Sequence, residues 1–385
     1  MKKRVLFVLP SFGIGGTTLS TYNIVTLLDK GEYDISILPM YAGGLLKSIY
    51  DEIGYIKPSY FLNTISTFKK EKYNFLLNKI TYLIWLICSK FYCFNAFFQR
   101  IEAKKLSHNN YDIVVACQEG FCTDFARRIK SKKHIAWFRC EFNRYHSLIK
   151  RKNNFENVYS SYDKIVGVSE NTITQFRDYY PLLTEKLIAI NNPQNEKFIL
   201  KQADNDDHDS NFIKDGFNLV SVGRIDPVKR FVEIPQIAKT LLDKGLKFNW
   251  YIIGDGDEIE LNKIKNNIEE NNVGFCVKLL GAKSNVHYYI KNSELLICLS
   301  SSEACPRVIN EAKILHVPVI CTDFSSAHEF IESGKNGIIC TIDEIADNVF
   351  DLIQNRALYK KIQDNIAEFR FDNSEILKKI NELFN

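Results

Sequence analysis

Two glutamates stand eight positions apart in "SSSEACPRVINEA", residues 300–312, with Glu303 before a proline and Glu311 after it. Upstream, "LVSVGRIDPVKRF" sets Arg224 and Lys229 on either side of a turn containing Asp226 and Pro227. A carboxylate can accept hydrogen bonds from hydroxyls or support positive charge developing at a carbon. A guanidinium and an ammonium just past the end of a strand can clamp a diphosphate, the first through paired hydrogen bonds and the second as a compact charge. Arg307 and Glu311, four apart, could pair on one helix face. Spacing alone still favours a blander account, in which Glu311 is a surface helix residue, Glu303 a loop carboxylate near a helix dipole, and the cations face solvent.

The elements around these residues follow from their apolar patterning. "SELLICLSS" reads as a buried strand and "SEACP" as the loop at its carboxyl end. Pro306 suits the first turn of the helix "PRVINEAKILH", because its missing N–H and fixed φ cost nothing there. "WYIIGDGDE" is a strand ending at Gly254 and Gly256, where the backbone must turn sharply or approach something closely. At the amino end, "PSFGIGGTTLS" puts Gly13, Gly15 and Gly16 just before a helix whose free N–H groups favour an anion. The pattern is G-x-G-G, not G-x-G-x-x-G, and so makes a poor dinucleotide fingerprint.

Short β-branched runs alternate with helical patterns along the whole chain. Strands are expected near 4–9, 34–39, 112–116, 134–138 and 164–168, and again near 218–222, 248–253, 276–280, 295–299, 317–321 and 338–340. A first helix, "TLSTYNIVTLLDKG", should end at Gly31. Between the halves, "KQADNDDHDSNFIKDG" reads as an interdomain linker or an excursion beside one. Such alternation argues for an α/β protein of two doubly wound parallel-sheet domains. Their ligands bind at the carboxyl ends of strands, so two facing domains would create a cleft.

The chain has 385 residues, 45% hydrophobic and 25% charged, with a net charge of +4. That length suits two domains, and the modest charge gives no case for nucleic-acid binding. Ten cysteines are scattered with no C-x-x-C pair, which points to reduced thiols in a cytoplasmic protein rather than disulfides or a zinc site. The opening "MKKRVLFVLP" has too short an apolar run for a signal peptide and reads as a first strand. The segment "ITYLIWLICSKFYCFNAFF", 80–98, is nearly long enough to span a bilayer. Lys90 and Asn95 interrupt it, so a buried or interfacial helix is expected instead. Lys69, Lys70, Lys72 and Lys79 precede it, a combination that anionic membrane surfaces attract, although a solvated face beside a core helix explains it equally well.

Taken in order, these motifs resemble the retaining glycosyltransferases of family 4, glycosyl transferases group 1, which have the GT-B fold. The resemblance is densest over 215–340, in "VGRIDPVKR", "IIGDGDE", "LLGAKSNV", "EACPRVINEA", "PVICTD" and "ESGKNGII". It is thinner in the first half, in "GIGG", "YDIVVA", "KHIAWFRCEF", "YDKIVGVSE" and "INNP". It implies an acceptor-side domain over 1–195, with the helix 372–385 packing back on it, and a nucleotide-sugar donor domain over 196–371.

The E-x7-E signature falls on Glu303 and Glu311. The resemblance implies that Arg224 and Lys229 hold the donor diphosphate and that Glu311 accepts from the ribose hydroxyls. Glu303 would face the donor sugar, and the backbone from Cys305 through Pro306, Arg307 and Val308 to Ile309 would join the phosphate cradle. Gly15 and Gly16 would leave room for donor phosphates or acceptor. Where many relatives read A-W-x-H-x-D, this chain reads "AWFRCEF", which puts Arg139 and Glu141 near the acceptor or donor sugar, with His134 or His146 as substitutes if the alignment slips. The implied reaction is metal-independent hexosyl transfer with retention, by front-face attack, and needs no cofactor beyond a UDP- or GDP-sugar donor. A saccharide acceptor, lipid-linked at the inner face of the plasma membrane, would place the enzyme in capsule, O-antigen or similar surface-polymer synthesis. A GT-B epimerase and a non-catalytic nucleotide-sugar binding subunit are the alternatives. Nucleotide, sugar, linkage and oligomeric state are not legible.

Overall fold

The protein is described by a computed structural model covering residues 2–66, 92–148, 152–206 and 209–385. It divides into two compact units, Met1–Pro193 with Glu375–Asn385, and Gln194–Ser374. In the first unit, β1 (Lys3–Ser11), β2 (Tyr33–Tyr41), β3 (Tyr111–Ala116), β4 (Ser131–Phe138), β5 (Lys164–Gly167) and β6 (Leu187–Ala189) form a six-stranded sheet in the order β2-β1-β3-β4-β5-β6. In the second, β7 (Asn218–Val222), β8 (Asn249–Ile253), β9 (Val277–Gly281), β10 (Leu295–Cys298), β11 (Val319–Thr322) and β12 (Ile338–Cys340) run β12-β11-β10-β7-β8-β9. All pairings within both sheets are parallel.

The strands read as continuous apolar runs because helices cover both faces of a parallel sheet. In β8, Trp250 and Ile252 join the core with Leu219, Leu241, Leu295 and Val349, whereas Tyr251 and Ile253 point the other way into the core of Leu296, Ile309 and Ala312. The first unit buries an aromatic cluster at the end of β4, where Phe138 packs on Phe142 at 5.2 Å and Phe176 at 5.6 Å between ring centroids. That cluster fixes the backbone from which Arg139 leaves the strand.

Each strand order has one switch point, where successive crossovers change direction and the loops splay apart to admit a ligand. In the first unit it lies between β1 and β3. In the second it lies between β7 and β10, the strands that precede Arg224 and Glu303.

Several expectations change in detail. The sixth strand of the first sheet, β6, is a three-residue edge too short to stand out in the sequence. The first helix is Gly16–Leu27 and stops short of Gly31, because the Asp29 carboxylate accepts from the Gly31 amide at 2.7 Å and closes a turn there. The acid-rich stretch after residue 200 is not an interdomain linker. Helix Glu196–Asp204 enters it, Phe212 is buried against Tyr251 at 4.6 Å, and Asp209 pairs with Lys283 at 2.6 Å, all within the second unit. The segment 80–98 and the lysines before it fall outside the described residues as far as 91. No described helix is long and apolar enough to cross a membrane.

Candidate active site

The loop after β7 is built to present Lys229. Asp226 accepts from the amides of Val228 at 3.1 Å and Lys229 at 3.3 Å, which winds Pro227–Lys229 into one tight turn. Its other oxygen accepts from both Arg224 Nε at 3.0 Å and an Arg224 terminal nitrogen at 2.7 Å, which holds a side chain that is 70% exposed. The neighbouring loop after β8 supports this turn through backbone contact. A Cβ at Gly254 would lie 1.8 Å from the Gly223 carbonyl oxygen, and one at Gly256 would lie 2.1 Å from that of Ile225. Glycine is required at both positions for the close approach. Ile225 then bridges to Gly256 and donates to the Asp255 carbonyl at 3.0 Å.

Lys229 crosses to the loop after β10 and pairs with Glu303 Oε1. The same oxygen accepts from Ser300 Oγ at 2.7 Å. Burial by itself would depress the Lys229 pKa, but the charge of Glu303, with lesser help from Asp226, holds its ammonium above the ordinary lysine value. The loop backbone is pinned from the β11 side, where Thr322 Oγ1 donates to the Ser300 carbonyl at 2.6 Å and Ser326 Oγ to that of Glu303 at 2.7 Å. Ser301 N donates to the Val228 carbonyl at 2.8 Å and so ties the two loops together.

Helix Arg307–Ile314 begins past Pro306, and every one of its residues is buried. Helices Glu196–Asp204 and Val286–Lys291 close over it. Glu311 is therefore not a surface residue. It is 4% exposed, and its Oε1 takes Arg307 at 2.7 Å. Burial pushes its pKa up, yet the Arg307 guanidinium, with His287 beside it, brings it down to about 2. His287 Nε2 lies 3.8 Å from Glu311 Oε2, and neither ring nitrogen has a hydrogen-bond partner among the described residues. Cys305 is partly exposed and Val308 buried at the start of this helix, where the Ile309 amide is already given to the Pro306 carbonyl at 3.1 Å. Burial alone lowers Lys313, further along the helix, to about 8, and its ammonium donates to the Phe330 carbonyl at 2.8 Å.

In the first unit, Gly15 precedes helix Gly16–Leu27, whose first turn has neither a side-chain cap nor an acidic residue. A Cβ at Gly15 would meet nothing within 4 Å. Arg139 donates from Nε to the Cys117 carbonyl at 2.7 Å, and from one terminal nitrogen to Ser20 Oγ at 2.6 Å and Asn192 Oδ1 at 2.5 Å. It ties together loops after β3, β4 and β6 and the first helix. Glu141 accepts from the amides of Asn143 and Arg144 at 3.3 and 2.8 Å and so starts helix Phe142–Leu148. His134 is held on the Ile129 carbonyl at 2.8 Å, and His146 stacks on Phe142 with ring centroids 5.7 Å apart.

The second unit thus brings Arg224, Lys229, Glu303, Arg307 and Glu311 into the loops and helix that follow β7 and β10. Gly15, Gly16, Arg139 and Glu141 follow β1 and β4 of the first. Sequence reading passed over Ser300, Thr322, Ser326 and His287. The hydroxyl run "SSSE" was the signal for Ser300, while nothing in the sequence distinguishes His287.

Comparison with known proteins agrees first at the level of fold. The chain matches the crystal structure of Anabaena Alr3699/HepE in complex with UDP and glucose with a TM-score of 0.73, 17% identity and 98% of each chain covered. It also matches the apo form of the lipopolysaccharide outer core galactosyltransferase WaaB with a TM-score of 0.61, 17% identity and 98% of each chain covered. The shared fold is GT-B, with two Rossmann-like parallel-sheet domains in one chain.

In sequence, residues 202–369 match the family model described as glycosyl transferases group 1, a span that contains the residues following β7 and β10. A Haemophilus influenzae protein described as an uncharacterized glycosyltransferase is 24% identical over 370 residues, 94% of each chain. The Staphylococcus aureus capsular polysaccharide biosynthesis glycosyltransferase CapM is 26% identical over 206 residues, 51% of this chain and 53% of that one.

Proposed function

We propose that this chain is a retaining hexosyltransferase that moves a sugar from a UDP- or GDP-sugar to a saccharide acceptor. The observation that carries the reading is the pairing of Lys229 with Glu303 at the switch point between β7 and β10. A cation and a carboxylate there suit a diphosphate and the sugar attached to it. The structurally similar Anabaena HepE is in complex with UDP and glucose, which favours a UDP-sugar.

In this reading Lys229 and Arg224 take the diphosphate, and the backbone at Cys305–Val308 and the helix start beyond it complete the cradle. Glu311, already ionised, accepts from the ribose. Gly15 and Gly16 give the phosphates or acceptor room beside the uncapped helix. Arg139, fixed by Ser20 and Asn192, and Glu141 stay on the acceptor side. The bond from the anomeric carbon to the departing phosphate oxygen breaks while the acceptor oxygen bonds to the same face of that carbon. The acceptor's proton passes to the departing phosphate. Glu303 supports the charge on the sugar ring, and Lys229 and Arg224 stabilise the charge gathering on the phosphate, so the scheme requires no divalent ion. Relatives named for capsule and lipopolysaccharide synthesis support a lipid-linked acceptor in bacterial surface-polymer assembly.

The test is a thermal-shift and hydrolysis screen against UDP-, GDP-, ADP- and CMP-sugars, with and without EDTA. One donor class should raise the melting temperature, be hydrolysed slowly in EDTA, and lose its effect in Glu311→Ala. No response to any donor would end the reading. Binding without turnover, in the presence of acceptor extracts, would favour a partner subunit.

A further inference from the structure

We infer that Ser300 is a positioning residue that keeps Glu303 in place while Lys229 changes partner from that carboxylate to the donor diphosphate. The inference rests on the nucleotide-sugar reading above. Both Lys229 Nζ and Ser300 Oγ donate to the same oxygen, Oε1, of Glu303. Oε2 has no partner among the described residues and is left for a substrate hydroxyl.

A diphosphate offers Lys229 more negative charge than one carboxylate does, so donor binding draws the ammonium away. A carboxylate that loses the one counter-charge it has among the described residues would swing toward water. The Ser300 hydroxyl prevents this because it is neutral: its bond to Oε1 does not compete with the phosphates and survives the exchange.

The hydroxyl is itself built in. Ser300 is 1% exposed, and its carbonyl is held by Thr322. Its single proton is committed to Glu303, so Cys298 Sγ, 3.6 Å from Ser300 Oγ, is the donor in that contact. Burial, and then the charge of Glu303, keep the Cys298 thiol protonated, as that role requires. Thiol, hydroxyl and carboxylate form a chain that runs from the end of β10 to the position facing the sugar.

The experiment compares wild type, Ser300→Ala and Ser300→Thr by UDP calorimetry and by kcat and KM on UDP-glucose, or on GDP and GDP-mannose if guanosine is selected. Ser300→Ala should bind the free nucleoside diphosphate within about three-fold of wild type while kcat falls about ten- to a hundred-fold, the loss expected for one hydrogen bond to a charged group. Ser300→Thr, which retains the hydroxyl, should recover most of kcat. Unchanged kcat in Ser300→Ala, Thr behaving as Ala, or nucleotide affinity falling in step with kcat would each overturn the inference. Wild-type protein that binds neither nucleotide would instead overturn the donor reading, and this inference with it.

Discussion

Lys229, partly buried, and Glu311, buried, are both ionised, but for different reasons and with different consequences. Lys229 pairs with Glu303, a carboxylate that the donor diphosphate would replace in the proposed reaction, and its value would then lie in the transition state. Lys229→Ala should lower turnover by more than about 100-fold, as the loss of one preorganised charge-stabilising donor does elsewhere. Near wild-type turnover would remove it from the site. Glu311 pairs with a cation of its own helix, so it carries stability as well. Its folded pKa of about 2 lies below the ordinary 4.5. The stabilisation is therefore present in full above pH 4.5 and is lost as pH falls toward 2, up to roughly 3 kcal/mol at neutral pH. In urea unfolding, Glu311→Gln should be less stable than wild type at pH 7, with the gap narrowing at pH 3.5. A gap that is the same at both pH values would contradict the pairing with Arg307.

At the scale of elements, the site is a set of loops held by their neighbours. The β7 loop owes its shape to Asp226 within it and to Gly254 and Gly256 outside it. Gly256→Ala places a methyl 2.1 Å from the Ile225 carbonyl oxygen, a distance no packing tolerates. The turn that presents Lys229 must shift. We expect a stability loss of about 1–3 kcal/mol, as for overpacked sites, and a larger proportional loss of turnover. Unchanged melting temperature and activity would show that the two loops are not mechanically linked. The helix Arg307–Ile314 makes the complementary point, since its polar residues tolerate burial because Arg307 meets Glu311 and Lys313 meets the Phe330 carbonyl.

At the scale of the whole molecule, the chain passes between its two units twice, at Pro193–Gln194 and Ser374–Glu375. The C-terminal helix Ser374–Phe384 buries Phe384 against Phe7 and Tyr33, with ring centroids 6.2 and 5.6 Å away, and so closes the first unit. On the same unit, helix Tyr92–Ser107 exposes Phe97 and Ile101, four residues apart, beside Arg100, Lys104 and Lys105. Apolar side chains rimmed by cations suit an anionic lipid surface. In flotation with vesicles containing phosphatidylglycerol, the protein should rise with the lipid at low salt and be released at high salt. Protein that stays in the soluble fraction throughout would count against an acceptor presented at a membrane.

The sequence by itself determined the period of the strands, the two α/β halves and the placing of Glu303 and Lys229 past strand ends. These features depend on local apolar patterning and on proline and glycine, whose backbone effects reach only a few residues. The resemblance to group 1 glycosyltransferases was legible for the same reason, because its motifs are contiguous. Only the tertiary structure decided which polar side chains meet. That Ser300 and Lys229, 71 positions apart, share one oxygen of Glu303 follows from β7 and β10 being neighbours in a sheet. No local pattern encodes that order. Nor could the sequence show Glu311 buried: a charged residue in a short helix reads as exposed until the helices that cover it are in place, and His287 is one of the residues that cover it.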